Sequence, residues 1–222
     1  KRIDIRAAGP AGLFYGIQTL RQLLPVEIFG EEKAGGIEWS VPCVSIVDYP
    51  RFGWRGLLID PARHFIPVEN SKRFVDAMAI HKLNRLQVHF TDSQGWRIEI
   101  RKYPKLTEIG SKMDNSRRKT EDGEYVGGFY TQDDIRELVR YAAARHITIV
   151  PEIEMPFHTG AAIVAYPELG INTKHLAEVP PEQRWGKTKS LIAPRPATVA
   201  FFQDVLSEVI ELLPSKHIHI GG

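Results

Sequence analysis

From Trp54 onward the chain alternates short apolar runs with amphipathic helical stretches, and this order limits the fold more than any other property of the sequence. Leu57-Leu58-Ile59-Asp60 reads as a strand buried on both faces, and Ser71–His81 as the helix after it. Leu86–Phe90 is a second strand. Thr131–Arg145 is a helix with Thr131 as N-cap and Asp133-Asp134 in the first turn, where the helix dipole favours them. Ile147–Ile153 is a third strand. Ala197–Leu213 is a long helix with Val199, Phe202, Val205, Leu206, Val209 and Leu212 on its apolar side, and His217–Ile220 is a fourth strand. Such repetition argues for an α/β chain with a parallel sheet and crossover helices. It fits half of an eightfold β/α barrel or an open doubly wound sheet, but no Gly-rich phosphate loop follows the first strand.

The connections are unequal. After the first strand comes Pro61-Ala62-Arg63-His64-Phe65. After the second comes Thr91-Asp92-Ser93-Gln94-Gly95-Trp96-Arg97 and an excursion to about Tyr130. After the third comes Glu154-Met155-Pro156-Phe157-His158-Thr159-Gly160 and a further loop to the long helix. The turns at the other end are short: His81 to Arg85, Arg145-His146 and Pro214-Ser215-Lys216. Long loops rich in functional side chains at strand C-termini place any site on that face. The last strand ends in Gly221-Gly222, which let the backbone turn sharply beside a ligand.

The first fifty residues have a different rhythm. Lys1–Ala7 alternates like a half-buried strand. Ala11–Leu24 reads as a helix with Leu13, Phe14, Ile17, Leu20 and Leu24 on one face, ended by Pro25. Gly30–Gly36 is a polar turn, and Ile37–Val41 and Cys43–Val47 read as short strands. This is a small α/β piece, expected to lack its front.

With 222 residues, 43% of them hydrophobic, a sizeable core is expected. The net charge of +2 and the dispersed basic residues, with Arg117-Arg118-Lys119 read as a solvated loop face, argue against a nucleic-acid partner. Cys43 is the single cysteine, which excludes a disulfide framework and a thiolate zinc site. No apolar run reaches membrane-spanning length, so no membrane partner is expected.

Several side chains on the long loops are candidates for chemistry. Arg63 can present a planar donor fork to hydroxyl or carboxylate oxygens, or pair with Asp60. Asp92 ends a strand in which Leu86, Val88 and Phe90 alternate with Gln87 and His89. The polar set would face a barrel lumen and end at Asp92, or Asp92 would cap the following turn. His158, four residues after Glu154, suits a role in orienting an acid or base; a buried His bonded to backbone is the plainer reading. Glu152 and Glu154 share a face and form a carboxylate pair, or one is salt-bridged. Trp96 is a sugar-stacking ring or, more plainly, a core-covering one. His217 and His219 share a face of the last strand. A metal held by His-x-His with Asp92 and His158 is the weakest of these readings.

Taken together, these segments resemble the β-N-acetylhexosaminidases of glycoside hydrolase family 20. Arg55–Phe65, Asn84–Trp96, Pro151–Thr159 and His217–Gly222 are similar to that family's first four barrel strands and loops. Ala8–Pro25 is similar to the end of the small α/β domain before its barrel. The resemblance implies residues 1–50 as the C-terminal part of that domain and 51–222 as the first four β/α units of a (β/α)8 barrel. It implies removal of terminal β-linked N-acetylhexosamine by a substrate-assisted, retaining mechanism. Arg63 would bind hydroxyls of the terminal sugar, Asp92 and His158 would support the general acid, and Glu154 and His219 would sit behind them. The partner would be a glycan or glycoconjugate. No metal or organic cofactor is implied, and a periplasmic, secreted or cell-surface location is expected. The family's catalytic Asp-Glu pair directly follows the two glycines that here are Gly221 and Gly222, so no catalytic residue is expected within the chain. Three positions depart from the family pattern: Ser93 for a frequent second Asp, Phe157 for a Gly, and Gly160 for a larger polar residue. They are expected to bear on substrate detail more than on fold.

Two alternatives stand beside this reading, a non-catalytic carbohydrate-binding relative and a metal-dependent hydrolase barrel. Half a barrel is expected to aggregate or pair its open edges when isolated, since closure alone removes edges. Reading the two codons after Gly222 separates the first two hypotheses: Asp-Glu is expected for the enzyme, and any other pair favours the binder.

Overall fold

The computed structural model describes residues 2–30, 32–33, 35–112 and 127–222. Arg117-Arg118-Lys119 lies outside them. The centre is a parallel sheet of β1 (Gly56–Ile59), β2 (Arg85–His89) and β5 (Thr148–Glu152), in that order. β2 aligns Gly56 with Arg85 on one side, and Arg85 with Thr148 through His89 with Glu152 on the other. The expected fourth strand is a short parallel pairing of Glu152 with His219, carried by Ile153 N–H to His219 O and His219 N–H to Pro151 O, both 2.9 Å. Neighbours in the sheet are neighbours in sequence, with no reversal of order. That is an arc of a barrel, not a doubly wound sheet.

The hydrophobic face of β2 makes the core. Leu86, Val88 and Phe90 are wholly buried beneath α2 (Val68–Ile80) and α4 (Gln132–Ala143), which contribute Val75, Met78, Ile135 and Leu138. α6 (Pro196–Leu212) adds Phe201, Phe202, Val205 and Val209. α4 starts with a capping box, in which Thr131 Oγ1 accepts the Asp134 N–H and Asp134 accepts the Thr131 N–H. This satisfies two donors that a helix otherwise leaves open.

The described parts of the long loops are ordered by local structure and buried arginines. β3 (Thr91–Asp92) and β4 (Gly95–Trp96) form a small hairpin, followed by the single turn α3 (Lys105–Glu108). Trp96 is buried, with its indole N–H on Ile98 O, so it covers core and does not stack a sugar. Arg97 is wholly buried and donates to the carbonyls of Pro61, Ala62, Ser111 and Gly128 at 2.6–3.1 Å. It therefore locks the loop after β1 to the loop after β2. After β5 the chain runs through α5 (Gly160–Ala165) and a series of 3₁₀ turns. There Arg184 repeats the device, donating to carbonyls of Val164, Ala177 and Val179.

The N-terminal region differs from expectation. α1 (Pro10–Leu23) is present, but Lys1–Ala7, Ile37–Val41 and Cys43–Val47 form no strands among the described residues. Alternation predicts an extended backbone, whereas a strand also needs a hydrogen-bonded neighbour, which no described segment supplies here. Instead, α1 lies against the short-turn end of the sheet. Phe14 meets His146 edge-on, Gln22 donates to Ile80 O, and Lys82 donates to Thr19. β1 also departs from the doubly buried strand expected: Leu57 and Leu58 are 38% and 48% exposed, because β1 is an edge of the sheet. No described helix is long and apolar enough to cross a membrane.

Arg97→Met removes the donor from the buried carbonyls of Pro61 and Ala62, each costing about 1–3 kcal/mol, so a loss of at least about 2 kcal/mol is expected. Thr131→Ala should cost about 1 kcal/mol through the lost cap. Denaturant midpoints of the full-length protein check both values and their order.

Candidate active site

The strand register builds the site. Because β2 aligns with β5, and β5 with the His219 segment, His89, Glu152 and His219 stand in one row across the sheet, with Asp60 one residue beyond the Ile59–Val88 pair. All lie on the face opposite Leu86 and Val88, as a period of two requires. Gln87, one layer below, donates to Glu152 Oε2 at 2.6 Å.

Just above the row, the loop tips bring Arg63, Asp92, Glu154 and His158 together. Asp92 is 2% exposed, and its Oδ2 meets Arg63 Nη2 at 2.5 Å and His158 Nδ1 at 3.1 Å, while its Oδ1 accepts the Ser93 N–H. Asp92 thus both caps its turn and joins the cluster. Arg63 donates to Asp60 Oδ2 at 2.7 Å, so the two readings of Arg63 share one side chain that is still 38% exposed. Burial works against the guanidinium's charge. The Asp60 hydrogen bond and the charges of Asp92, Asp60 and Glu154 outweigh it and hold Arg63 above its ordinary pKa. A buried carboxylate needs such a partner to stay charged.

His158 is not the buried, backbone-bonded histidine of the plainer reading. Its side chain is 48% exposed, with Nδ1 between Asp92 Oδ2 and Glu154 Oε1 at 3.1 and 3.5 Å. Its backbone is left-handed (φ 55°), which turns the ring from the loop back toward the carboxylates. Glu154 is 3% exposed; its N–H binds Thr91 Oγ1, its Oε2 accepts the Gly222 N–H, and its Oε1 lies 3.0 Å from His89 Nε2. His219 Nδ1 lies 3.2 Å from Glu152 Oε1 and 3.0 Å from the Gly221 N–H. Unprotonated, it accepts from Gly221; protonated, it donates to Glu152. Glu152 and Glu154 are therefore each engaged by histidine instead of pairing with one another.

His217 does not join the site; it packs edge-on against Trp54. The metal reading built on His217 and His219 with Asp92 and His158 is thus not assembled. His89, Asp92 and Glu154 do offer three ligand atoms within 4.8 Å of one another, but Arg63 already places a cation on Asp92. Of the positions that depart from the family pattern, Phe157 is 50% exposed and leaves the His158–Asp92 contact in place. Gly160 packs so closely on Ser93 and Ser190 that a Cβ would lie 3.0 Å from Ser93 Cα and 2.9 Å from Ser190 Oγ. Residues 93 and 160 are therefore sterically linked.

The family model for the glycosyl hydrolase family 20 catalytic domain matches residues 52–222, and that for domain 2 of the same family matches residues 1–49. The chain belongs to glycosyl hydrolase family 20. Among its curated relatives, a beta-hexosaminidase of Porphyromonas gingivalis is 45% identical over 99% of this chain and 27% of the relative. The solved family 20 β-N-acetylhexosaminidase of Streptomyces coelicolor superposes with a TM-score of 0.81 at 40% identity, over 95% of this chain and 40% of that one. The family 20 exo-β-N-acetylglucosaminidase of Vibrio harveyi, solved with N-acetylglucosamine, superposes at 0.78 and 36% identity over 95% and 32%. The chain thus spans well under half the length of these relatives. The fold is the N-terminal part of a family 20 β/α barrel.

Arg63, Asp92, Glu154, His158 and His219, singled out from the sequence, come together here; Asp60, expected only as an ion-pair partner of Arg63, His89, expected only as a lumen-facing residue, and Glu152, expected as a carboxylate partner of Glu154, join the same cluster. The polar stripe of β2 was the available signal for His89.

Gly221 has φ +69°, and a Cβ there would run into the Glu154 carboxylate. Gly221→Ala is expected to cost about 1–2 kcal/mol in backbone strain alone. It should also displace Glu154 from Gly222, which a crystal structure of the variant would show.

Proposed function

We propose that the full-length protein is an exo-acting β-N-acetylhexosaminidase that removes terminal N-acetylhexosamine from glycans by substrate-assisted, retaining hydrolysis. The observation that carries this is the junction of Arg63, Asp92 and His158 at the strand tips, with the Gly222 N–H held on Glu154 in the same cluster. An Asp-Glu pair directly after Gly222, as in the family, would stand at this cluster. Arg63 then offers the part of its fork not taken by Asp60 and Asp92 to hydroxyls of the terminal sugar. Asp92 keeps the His158 ring oriented, and His158 in turn meets the general acid. Glu154 and His219 support the backbone that carries that acid.

The acid donates its proton to the leaving oxygen. The neighbouring Asp orients the 2-acetamido group, whose oxygen attacks the anomeric carbon, and water opens the oxazolinium with retention. No residue of residues 1–222 has to be a nucleophile in this scheme. Glycans with terminal N-acetylhexosamine are met mainly outside the cytoplasm, so a periplasmic, secreted or cell-surface location is part of the proposal.

The full-length protein is expected to hydrolyse an aryl N-acetyl-β-glucosaminide, and residues 1–222 alone to show no turnover. Asp92→Asn should lower kcat/KM by about 10²–10³-fold, and Arg63→Ala should both raise KM and lower kcat, because it removes a sugar contact and the charge partner of Asp92 together. A full-length protein that binds N-acetylglucosamine without turnover would instead establish the non-catalytic binder.

A further inference from the structure

Beneath the Arg63–Asp92–His158 junction lies His89, 4% exposed, which the proposed mechanism does not use. Its Nδ1 is 3.4 Å from Arg63 Nη1 and 3.8 Å from Asp60 Oδ1. Its Nε2 faces Glu154 Oε1 at 3.0 Å, Asp92 Oδ2 at 3.4 Å and Glu152 Oε1 at 3.9 Å. A guanidinium has only donors, so toward Arg63 the Nδ1 is an acceptor and the ring proton sits on Nε2. That proton points between Glu154 and Asp92, aligned with neither well enough to be a full hydrogen bond.

The same two oxygens, Asp92 Oδ2 and Glu154 Oε1, are the ones His158 Nδ1 meets from the open side. Two imidazoles therefore bridge one pair of carboxylate oxygens, one from the buried side and one from the pocket. Asp92 and Glu154 cannot approach one another closely without a donor between them. His89 is the buried group placed to supply it.

We propose that His89 is a positioning residue for the family 20 reaction: its Nε2–H, fixed in that tautomer by Arg63, holds Asp92 and Glu154 at the separation that sets the His158 ring. The role rests on the functional reading above. It assigns to β2 a third task beyond core packing and the delivery of Asp92, namely keeping two like charges in register from below.

The test uses the full-length protein with His89→Leu, His89→Gln and His89→Asn. The Gln amide nitrogen falls near the Nε2 position and the Asn amide nitrogen near Nδ1. His89→Leu should lower kcat by about 10- to 100-fold, the usual scale for a group that orients a working ligand. KM should stay within about threefold, because the sugar contacts remain. His89→Gln should recover most of the loss and His89→Asn should not. Equal impairment of the Gln and Asn variants, or a folded Leu variant with wild-type kcat, overturns the proposal. If the Leu variant fails to fold, the Gln-against-Asn comparison decides alone. If the wild-type protein has no turnover, the functional reading falls. The positioning claim is then read from crystal structures, in which Glu154 and His158 should shift in His89→Asn and stay in place in His89→Gln; unmoved side chains in both would refute it.

Discussion

Four carboxylates, Asp60, Asp92, Glu152 and Glu154, crowd the C-terminal end of one small parallel sheet, and most of their surface is withdrawn from water. Buried like charges repel and are costly to desolvate, so the arrangement persists only if each finds a donor. Arg63 serves Asp60 and Asp92; His158 serves Asp92 and Glu154; Gln87 serves Glu152; the Gly222 N–H serves Glu154. The rest of the fold can be understood as what holds those donors in place.

Two levels of support do this. The strand register fixes which side chains share a row, since a slip of one residue would turn His89 and Glu152 into the core. The loops are fixed by buried arginines that bind backbone carbonyls. Arg97 ties the segment bearing Arg63 to the segment bearing Asp92, so the distance between those partners depends on a residue that touches neither. Arg184 serves the long connection after α5 in the same manner. Guanidinium suits this use because its donors radiate in a plane and reach several carbonyls at once.

The helices and the three paired strands were legible because each carries its own signal: apolar spacing in α2, α4 and α6, a cap at Thr131, and short apolar runs in β1, β2 and β5. Among the described residues the strands expected near the N-terminus are not formed, and Leu57 and Leu58 are not buried, because pairing and burial depend on neighbours that local pattern does not specify. Of the site, Arg63, Asp92, Glu154 and His158 were legible as polar groups at strand tips. His158 was underrated, because a turn with positive φ at a non-glycine residue leaves no sequence mark, and it is that turn which aims the ring.

The sequence by itself determined the order of the main parallel strands and their crossover helices, the face on which the long loops lie, and the membership in family 20, since periodicity and motif spacing are local properties. Only the tertiary structure decided that His89 stands beneath Asp92 and Glu154, that His217 leaves the site for Trp54, and that residues 93 and 160 constrain one another. Apart from that of His89 with Asp92, each of these is a contact between segments far apart in the chain. Its existence depends on the sheet register and on loop packing, which no single stretch of residues encodes.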